Sequence, residues 1–337
     1  MSADAAPAVT LVIPGRDCAK TLRPCLEAVS AISAQPGSPL KRILFVDDGS
    51  RDNSREIARE FERVELAEGL ARGAGSARNL GWRMAETPLV WFVDSDCVAE
   101  PDALCHLLPH MEAADVGAVS GSYGIMNPQT LLPRLIHEEI IERHLRMTPD
   151  VNFLATFNVL YRRAALEQVD GFDERYLKAQ DAELSFRVQE AGWRLRFDMR
   201  SRVRHYHEDN WAQYLRIQRQ QGFWRVWLHM NHRGHNNGDS YSSLLDHVQP
   251  PLAMVCLVLS PLLAFKGWCW APIAAIVVLI LAQIPLTVRL LRRTRRASYA
   301  SFALMSFVRA FWRGVGMTAG VLSYLAARTR GETLRKG

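Results

Sequence analysis

Asp94 and Asp96 flank Ser95 at the end of the apolar run Leu89 to Val93. A β-strand sets residues i and i+2 on one side, so two carboxylates face one point, where a divalent cation with hard oxygen ligands would sit. Such a cation suits the diphosphate of a nucleotide. Asp47 and Asp48 close a second apolar run, Ile43 to Val46, and Pro14-Gly15-Arg16-Asp17 follows a third, Val9 to Ile13. Farther along, Asp181 opens a helical stretch, 182–191, that ends at Gly192. A carboxylate placed there caps a helix when it has no other task.

The elements that must position these groups alternate. Helical spacing runs from Cys18 to Ile32 after the first strand, and a charged helix spans 52–61 after the second. A strand near 64–66, a helix over 75–85 and the strand 89–93 follow. Strand and helix alternating with short links predict parallel βαβ units. Ligands bind beyond the carboxyl ends of such strands, so one sheet edge collects Pro14 to Asp17, Asp47 with Asp48, and Asp94 to Asp96. Gly73-Ala-Gly-Ser-Ala-Arg78 is not a dinucleotide fingerprint, because it lies past two strands and ends in Arg.

Charge separates the chain into two parts. From Leu244 onward there are twelve Lys or Arg and two Asp or Glu; set against the whole-chain +6, this leaves about minus four for residues 1–243. The basic residues flank apolar runs, which points to a membrane surface and not to nucleic acid as the partner. The six cysteines have no zinc-ribbon spacing and read as reduced apolar side chains. The residues before the first strand do not read as a secretory signal, so the front domain is expected in the cytoplasm.

These pieces resemble family 2 glycosyltransferases with the GT-A fold. The resemblance rests on Val9-Thr-Leu-Val-Ile-Pro14 with Arg16-Asp17, Phe45-Val-Asp-Asp-Gly-Ser50, Ser76-Ala-Arg-Asn-Leu-Gly81, Phe92-Val-Asp-Ser-Asp96, Gly171-Phe-Asp-Glu174 and Asp181-Ala-Glu-Leu184. They occur in the family's order across roughly residues 8–230. The resemblance implies an α/β architecture, a mixed nucleotide-sugar-binding sheet flanked by helices, and inverting transfer from a UDP- or GDP-sugar. It implies Asp96 as ligand of Mn2+ or Mg2+, with Asp94 near the ribose and the metal. Asp48, beside Asp47, would accept from the nucleotide base, and Pro14 and Arg16 would line the same pocket. Arg78 would place a cation near the diphosphate. Asp181 would be the base that deprotonates the acceptor hydroxyl. In relatives a histidine after the basic strand completes the metal shell, which nominates His205.

The chain departs from the family pattern in three places. Gln180 stands where the family has Glu before the base; the small glycine usual in the acceptor-side stretch is missing from 156–162; and Arg219-Gln-Gln-Gly-Phe-Trp-Arg225 replaces the Gln-x-x-Arg-Trp signature of processive synthases. His229, His232 and His235 read as a solvated link.

Leu244 to Phe265 and Trp268 to Val288 are apolar runs long enough to cross a hydrocarbon core as a hairpin. The following basic run, 289–296, stays on the cytoplasmic side. Residues 301–327 carry Arg309 and Arg313 on one helical face. Two unpaired arginines in mid-bilayer are costly, so this stretch is expected to lie in the interface, as is the aromatic-rich helix 209–230. The expected organisation is a catalytic domain over 1–240 and a membrane region over 241–337. The expected activity is transfer to a lipid or lipid-linked glycan at the cytoplasmic face of the inner membrane. A subunit of a processive polysaccharide synthase is the alternative within the class. A nucleotide-sensing membrane scaffold and a sugar-1-phosphate nucleotidyltransferase are the alternatives outside it.

Overall fold

The computed structural model describes residues 7–232 and 240–330; the first six residues, His235 and the basic end from residue 331 lie outside that range. In chain order the strands are β1 Val9–Gly15, β2 Leu40–Asp47, β3 Val64–Glu68, β4 Leu89–Val93, β5 Cys97–Ala99, β6 Val116–Ile125, β7 Asp150–Val151, β8 Asn158–Arg162 and β9 Arg194–His205. The helices are α1 Ala19–Ala34, α2 Ser54–Arg59, α3 Ala74–Met84, α4 Ala103–Leu107, α5 Leu131–His144, α6 Arg163–Gln168, α7 Gln180–Glu190, α8 Trp211–Asn231, α9 Leu244–Leu259, α10 Trp270–Leu281, α11 Ile284–Thr294 and α12 Phe302–Thr329.

The chain forms two compact units. Among the described residues, one takes 7–127 and 147–207; the other takes 128–146, 208–232 and 240–330. The expected boundary at 240 therefore falls inside the second unit. Helix α8 packs along α12, and α5, inserted between β6 and β7, joins the C-terminal helices.

The first unit is built on one mixed sheet in the order β3-β2-β1-β4-β8-β6-β9-β5, with β7 paired to β9. β3, β2, β1 and β4 are mutually parallel, as the alternation of elements predicts; β8 runs antiparallel to both β4 and β6. β1 and β4 are buried at every position because helices cover both faces. Leu11, Ile13 and Trp91 pack on one side with Leu22, Leu26 and Val29 of α1. Val12, Val90 and Phe92 pack on the other with Ala77 and Trp82 of α3. Val9 and Gly15 bond toward β2, so Pro14, of the other parity, turns its nitrogen toward β4, where the ladder has ended at Val12 and Phe92, and its missing N–H costs no bond.

Gly81 lets α3 approach the sheet: a β-carbon there would stand 2.2 Å from Val12 Cγ1. Gly81→Val is therefore expected to destabilise the first unit by about 1–3 kcal/mol, as overpacked cores do, measured by denaturant unfolding.

In the second unit, Leu244–Ala264 and Trp270–Thr294 are long and apolar enough to cross a membrane, and only 17% and 22% of their most apolar windows are buried, unlike core helices of a soluble domain. The first segment gives way to a 3₁₀ turn at Ser260–Ala264. The second is interrupted after Leu281, and α11, with proline in its first turn, carries on past the expected end at 288 to Thr294.

Arg309 and Arg313 are not unpaired, which corrects the premise that set residues 301–327 in the interface. Arg309 donates to Glu139 Oε2 at 2.5 Å and to Ser306 Oγ at 3.0 Å. Arg313 donates to Gln218 Oε1 at 2.7 Å. Arg143 bridges Glu139 at 2.6 Å and both oxygens of Asp246 at 2.7 and 2.8 Å. Charges from α5, α9 and α12, with the Gln218 amide of α8, thus pair with one another inside the unit. Sequence spacing shows that both arginines share a face, but not that a glutamate 170 residues away meets them. Arg293 of the basic run is likewise paired, with Glu142 at 2.6 Å and with Glu138.

Gly222 sits where the processive signature would lie, and a β-carbon there would come 2.2 Å from the Arg313 carbonyl oxygen. That stretch is a helix–helix contact of α8 with α12. His229 also belongs to α8, with its ring 5.8 Å from that of His247, so it is not part of a solvated link.

Burial pushes the Glu139 carboxyl up, but Arg309 and Arg143 outweigh it and hold it at about 2. A depressed carboxylate stabilises the fold above its unfolded value and loses that contribution as pH falls through the folded one. The second unit is expected to lose stability between about pH 4.5 and 2, and Glu139→Gln to cost about 3–5 kcal/mol by stranding buried guanidinium charge. Thermal unfolding in detergent across that pH range checks both.

Candidate active site

The carboxyl ends of β1, β2 and β4 carry the acids that the sequence singles out. Gly15 stands opposite Asp47 in the ladder, and Asp94 follows β4 directly. At the end of β2 the two neighbouring aspartates differ in use. Asp47 is buried, accepts Arg55 Nε at 2.5 Å and receives the Ser50 amide, so it builds the turn after the strand. Asp48 accepts the backbone N–H groups of Arg72 at 3.1 Å and Gly73 at 2.7 Å, which ties the strand end to the entrance of α3. A carboxylate has about four acceptor positions, so Asp48 keeps capacity for a ligand. Arg16 is exposed, with its guanidinium 3.9 Å from Asp17.

Arg78, from α3, is almost fully buried. Its Nη2 donates to Asp94 Oδ1 at 2.6 Å and its Nη1 to Gln180 Oε1 at 3.4 Å, while the guanidinium lies 5.6 Å over the Phe172 ring. Its Nε is a buried donor with no acceptor among the described residues. An incoming phosphate oxygen is the kind of group that such a donor takes.

Asp181 is the second residue of α7, behind Ala179, whose φ of 61° turns the chain into the helix. It does not act as the helix cap, and its Oδ1 accepts the neighbouring Ala182 N–H at 2.9 Å. Burial pushes its carboxyl above the usual range; Arg78 opposes the shift and Asp94 adds to it. An aspartate raised in this way by desolvation is suited to take a proton.

Asp96, Cys97 and His205 offer one ligand atom each, all within 4.8 Å of one another. The ladder explains this, because Cys97 pairs with His205 across β5 and β9. His205 Nε2 lies 3.3 Å from Asp96 Oδ2, and its Nδ1 lies 3.1 Å from His207 Nδ1. Burial lowers the imidazole, but Asp96 more than offsets it and raises His205; the carboxyl of Asp96 is held low in return. Burial pushes the Cys97 thiol up, and it donates to Asp96 at 3.6 Å. A carboxylate and an imidazole therefore fit a hard divalent cation, and the protonated thiol supports the carboxylate instead of binding.

Residues 10–170 match the protein-family model for glycosyl transferase family 2. Over that stretch the chain is similar to that family. It is similar to the glycosyltransferase AglE of Haloferax volcanii, with 26% identity over 197 residues, 57% of this chain and 64% of that protein. It is also similar to the pre-mycofactocin glycosyltransferase of Mycobacterium tuberculosis, with 27% identity over 212 residues, 59% of this chain and 43% of that protein. The alignments thus span less than two thirds of either relative. In fold it matches the mannosyltransferase PcManGT from Pyrobaculum calidifontis, solved in complex with GDP-Man and Mn2+, at a TM-score of 0.59 and 18% identity, covering 94% of this chain and 90% of that one.

Two links in this site escape sequence reasoning. Asn79 and the Gly171-Phe172 turn are visible as separate motifs, yet only the structure joins them: Asn79 Nδ2 donates to the Phe172 carbonyl and Asn79 Oδ1 accepts the Phe172 amide, each at 2.8 Å. This pairing seats the ring beneath Arg78. The second link is His207 behind His205, signalled only by the His-x-His spacing. Asn79→Ala is expected to leave both Phe172 backbone groups without partners at about 1–3 kcal/mol, seen as a lowered unfolding midpoint.

Proposed function

We propose that this chain is an inverting, divalent-metal-dependent glycosyltransferase that moves a sugar from a UDP- or GDP-sugar to a lipid or lipid-linked glycan at the cytoplasmic face of the cell membrane. The observation that carries it is the meeting of two groups at one sheet edge: Asp94, Arg78, Gln180 and Asp181 in one, Asp96 and His205 in the other. The Mn2+ and GDP-Man named for the fold relative from Pyrobaculum calidifontis agree with it.

Asp96 and His205 would hold Mn2+ or Mg2+, which would supply positive charge to the leaving diphosphate without proton movement. Arg78 supplies a second, fixed positive charge, and its orphan Nε–H is available to a phosphate oxygen. Pro14, Arg16, Asp47 and Asp48 frame the nucleotide side, with Asp48 accepting from the base and Asp47 holding the turn. Asp181 removes the proton of the acceptor hydroxyl as it attacks from the face opposite the leaving group. The raised carboxyl keeps enough basicity for that step.

Two largely unburied apolar segments support membrane placement, and the arginines after the second would keep the catalytic unit on the inner side. A membrane-embedded acceptor follows, because anchoring confines enzyme and lipid to one surface. Use of the 219–225 stretch for helix packing removes support for processivity.

Purified protein in detergent is expected to release UDP or GDP from its nucleotide sugar with Mn2+ or Mg2+. Asp96→Ala should abolish that release together with metal binding. Asp181→Asn should lower kcat on the order of 10²- to 10⁴-fold with nucleotide affinity intact. The base works deprotonated, so the rate should fall as pH drops through a value above the ordinary aspartate range. Full activity in Asp181→Asn would end this assignment.

A further inference from the structure

Gln180 is one of the three places where the chain leaves the family pattern, and its surroundings explain the choice. The side chain is buried, with Oε1 accepting from Arg78 Nη1 at 3.4 Å and Nε2 donating to the Tyr176 carbonyl at 2.5 Å. Gly75 of α3 closes the third side: a β-carbon there would lie 3.1 Å from Gln180 Cδ. The slot thus asks for an acceptor on the cation side and a donor on the carbonyl side. An amide has both and a carboxylate has no donor. Glutamate in the same pose would set an anionic oxygen against the Tyr176 carbonyl.

The charge balance has a consequence. Arg78 has one ion-pair partner among the described residues, Asp94 at 2.6 Å. A neutral Gln180 holds the guanidinium in place without adding a second counter-charge. Asp181 follows immediately in α7, and the charged and titratable groups that face it are Arg78 from α3, Asp94 from the end of β4 and Tyr161 from β8.

We propose that Gln180 is a positioning residue that orients Arg78 while leaving its charge for the donor's diphosphate, and so sets the pH range in which Asp181 acts as base. This rests on the transferase assignment above and names how its site is tuned.

The test uses the full chain in detergent with Mn2+ and compares wild type, Gln180→Glu and Gln180→Met. UDP and GDP affinity is read by calorimetry, and the pH–rate profile by nucleotide release. Gln180→Glu is expected to weaken nucleotide binding about tenfold, since a charge-assisted contact is diluted, and to move the acid limb of kcat to higher pH. Gln180→Met, which has no amide to brace Arg78 and adds no charge, should weaken nucleotide binding by about threefold, less than the glutamate variant, and keep the acid limb in place. Should the glutamate variant fail to fold, Gln180→Asp, whose shorter carboxylate clears the Tyr176 carbonyl, takes its place. Unchanged affinity with an unmoved acid limb in the acidic variant overturns the proposal, and so does a methionine variant that shifts as far. Wild-type protein that binds nucleotide but never turns over would instead overturn the transferase assignment, and the affinity comparison would still decide the role of Gln180.

Discussion

A guanidinium cannot be buried without partners, and Arg78 is a buried cation on which the first unit is organised. Its three neighbours, Asp94, Gln180 and the Phe172 ring, come from the end of β4, the start of α7 and the turn before it. Satisfying one charge therefore draws together segments spread over about a hundred residues. Water would screen such contacts, whereas in a low-dielectric cleft they hold the segments firmly. The same burial that makes Arg78 demanding makes its remaining Nε–H a strong point of attachment for an anion.

The second unit solves a similar problem with the opposite outcome. Arg143, Arg309 and Arg313 meet Glu139, Asp246 and the Gln218 amide, and the charges are consumed in holding α5, α8, α9 and α12 together. In the first unit the Arg78 Nε–H has no acceptor among the described residues; in the helical unit Arg143, Arg309 and Arg313 pair inward and serve packing. Small residues make the close approach feasible, since Gly222, Gly316 and Gly320 all lie where a β-carbon would strike the facing backbone. An interrupted processive signature and a tight helix crossing are thus two descriptions of the same stretch.

Much of the site was legible because its chemistry is local. Asp94 and Asp96 are two residues apart in an extended segment, Asp47 and Asp48 end a strand, and apolar runs identify the strands that carry them. Parallel alternation then sends all these ends to one edge, a consequence of connectivity that needs no side-chain detail. Different uses for Asp47 and Asp48 were not legible: their neighbours, Arg55 and the amides of residues 72 and 73, are fixed by how a turn and a helix entrance close on them. Gln180 was visible as a departure, but its cause, the Tyr176 carbonyl and Gly75 against its amide, lies in packing.

By itself the sequence determined the order of strands and helices, the edge where acids gather and the presence of two apolar segments long enough to cross a bilayer, because period and run length are properties of neighbouring residues. Tertiary structure alone decided which charges are paired. Whether Arg309 faces solvent or Glu139, and whether Arg78 is a surface residue or a buried cation with a free donor, depends on groups far away in the chain. Such pairings follow from the requirement that every buried charge find a partner, and only the folded arrangement determines which partner is near.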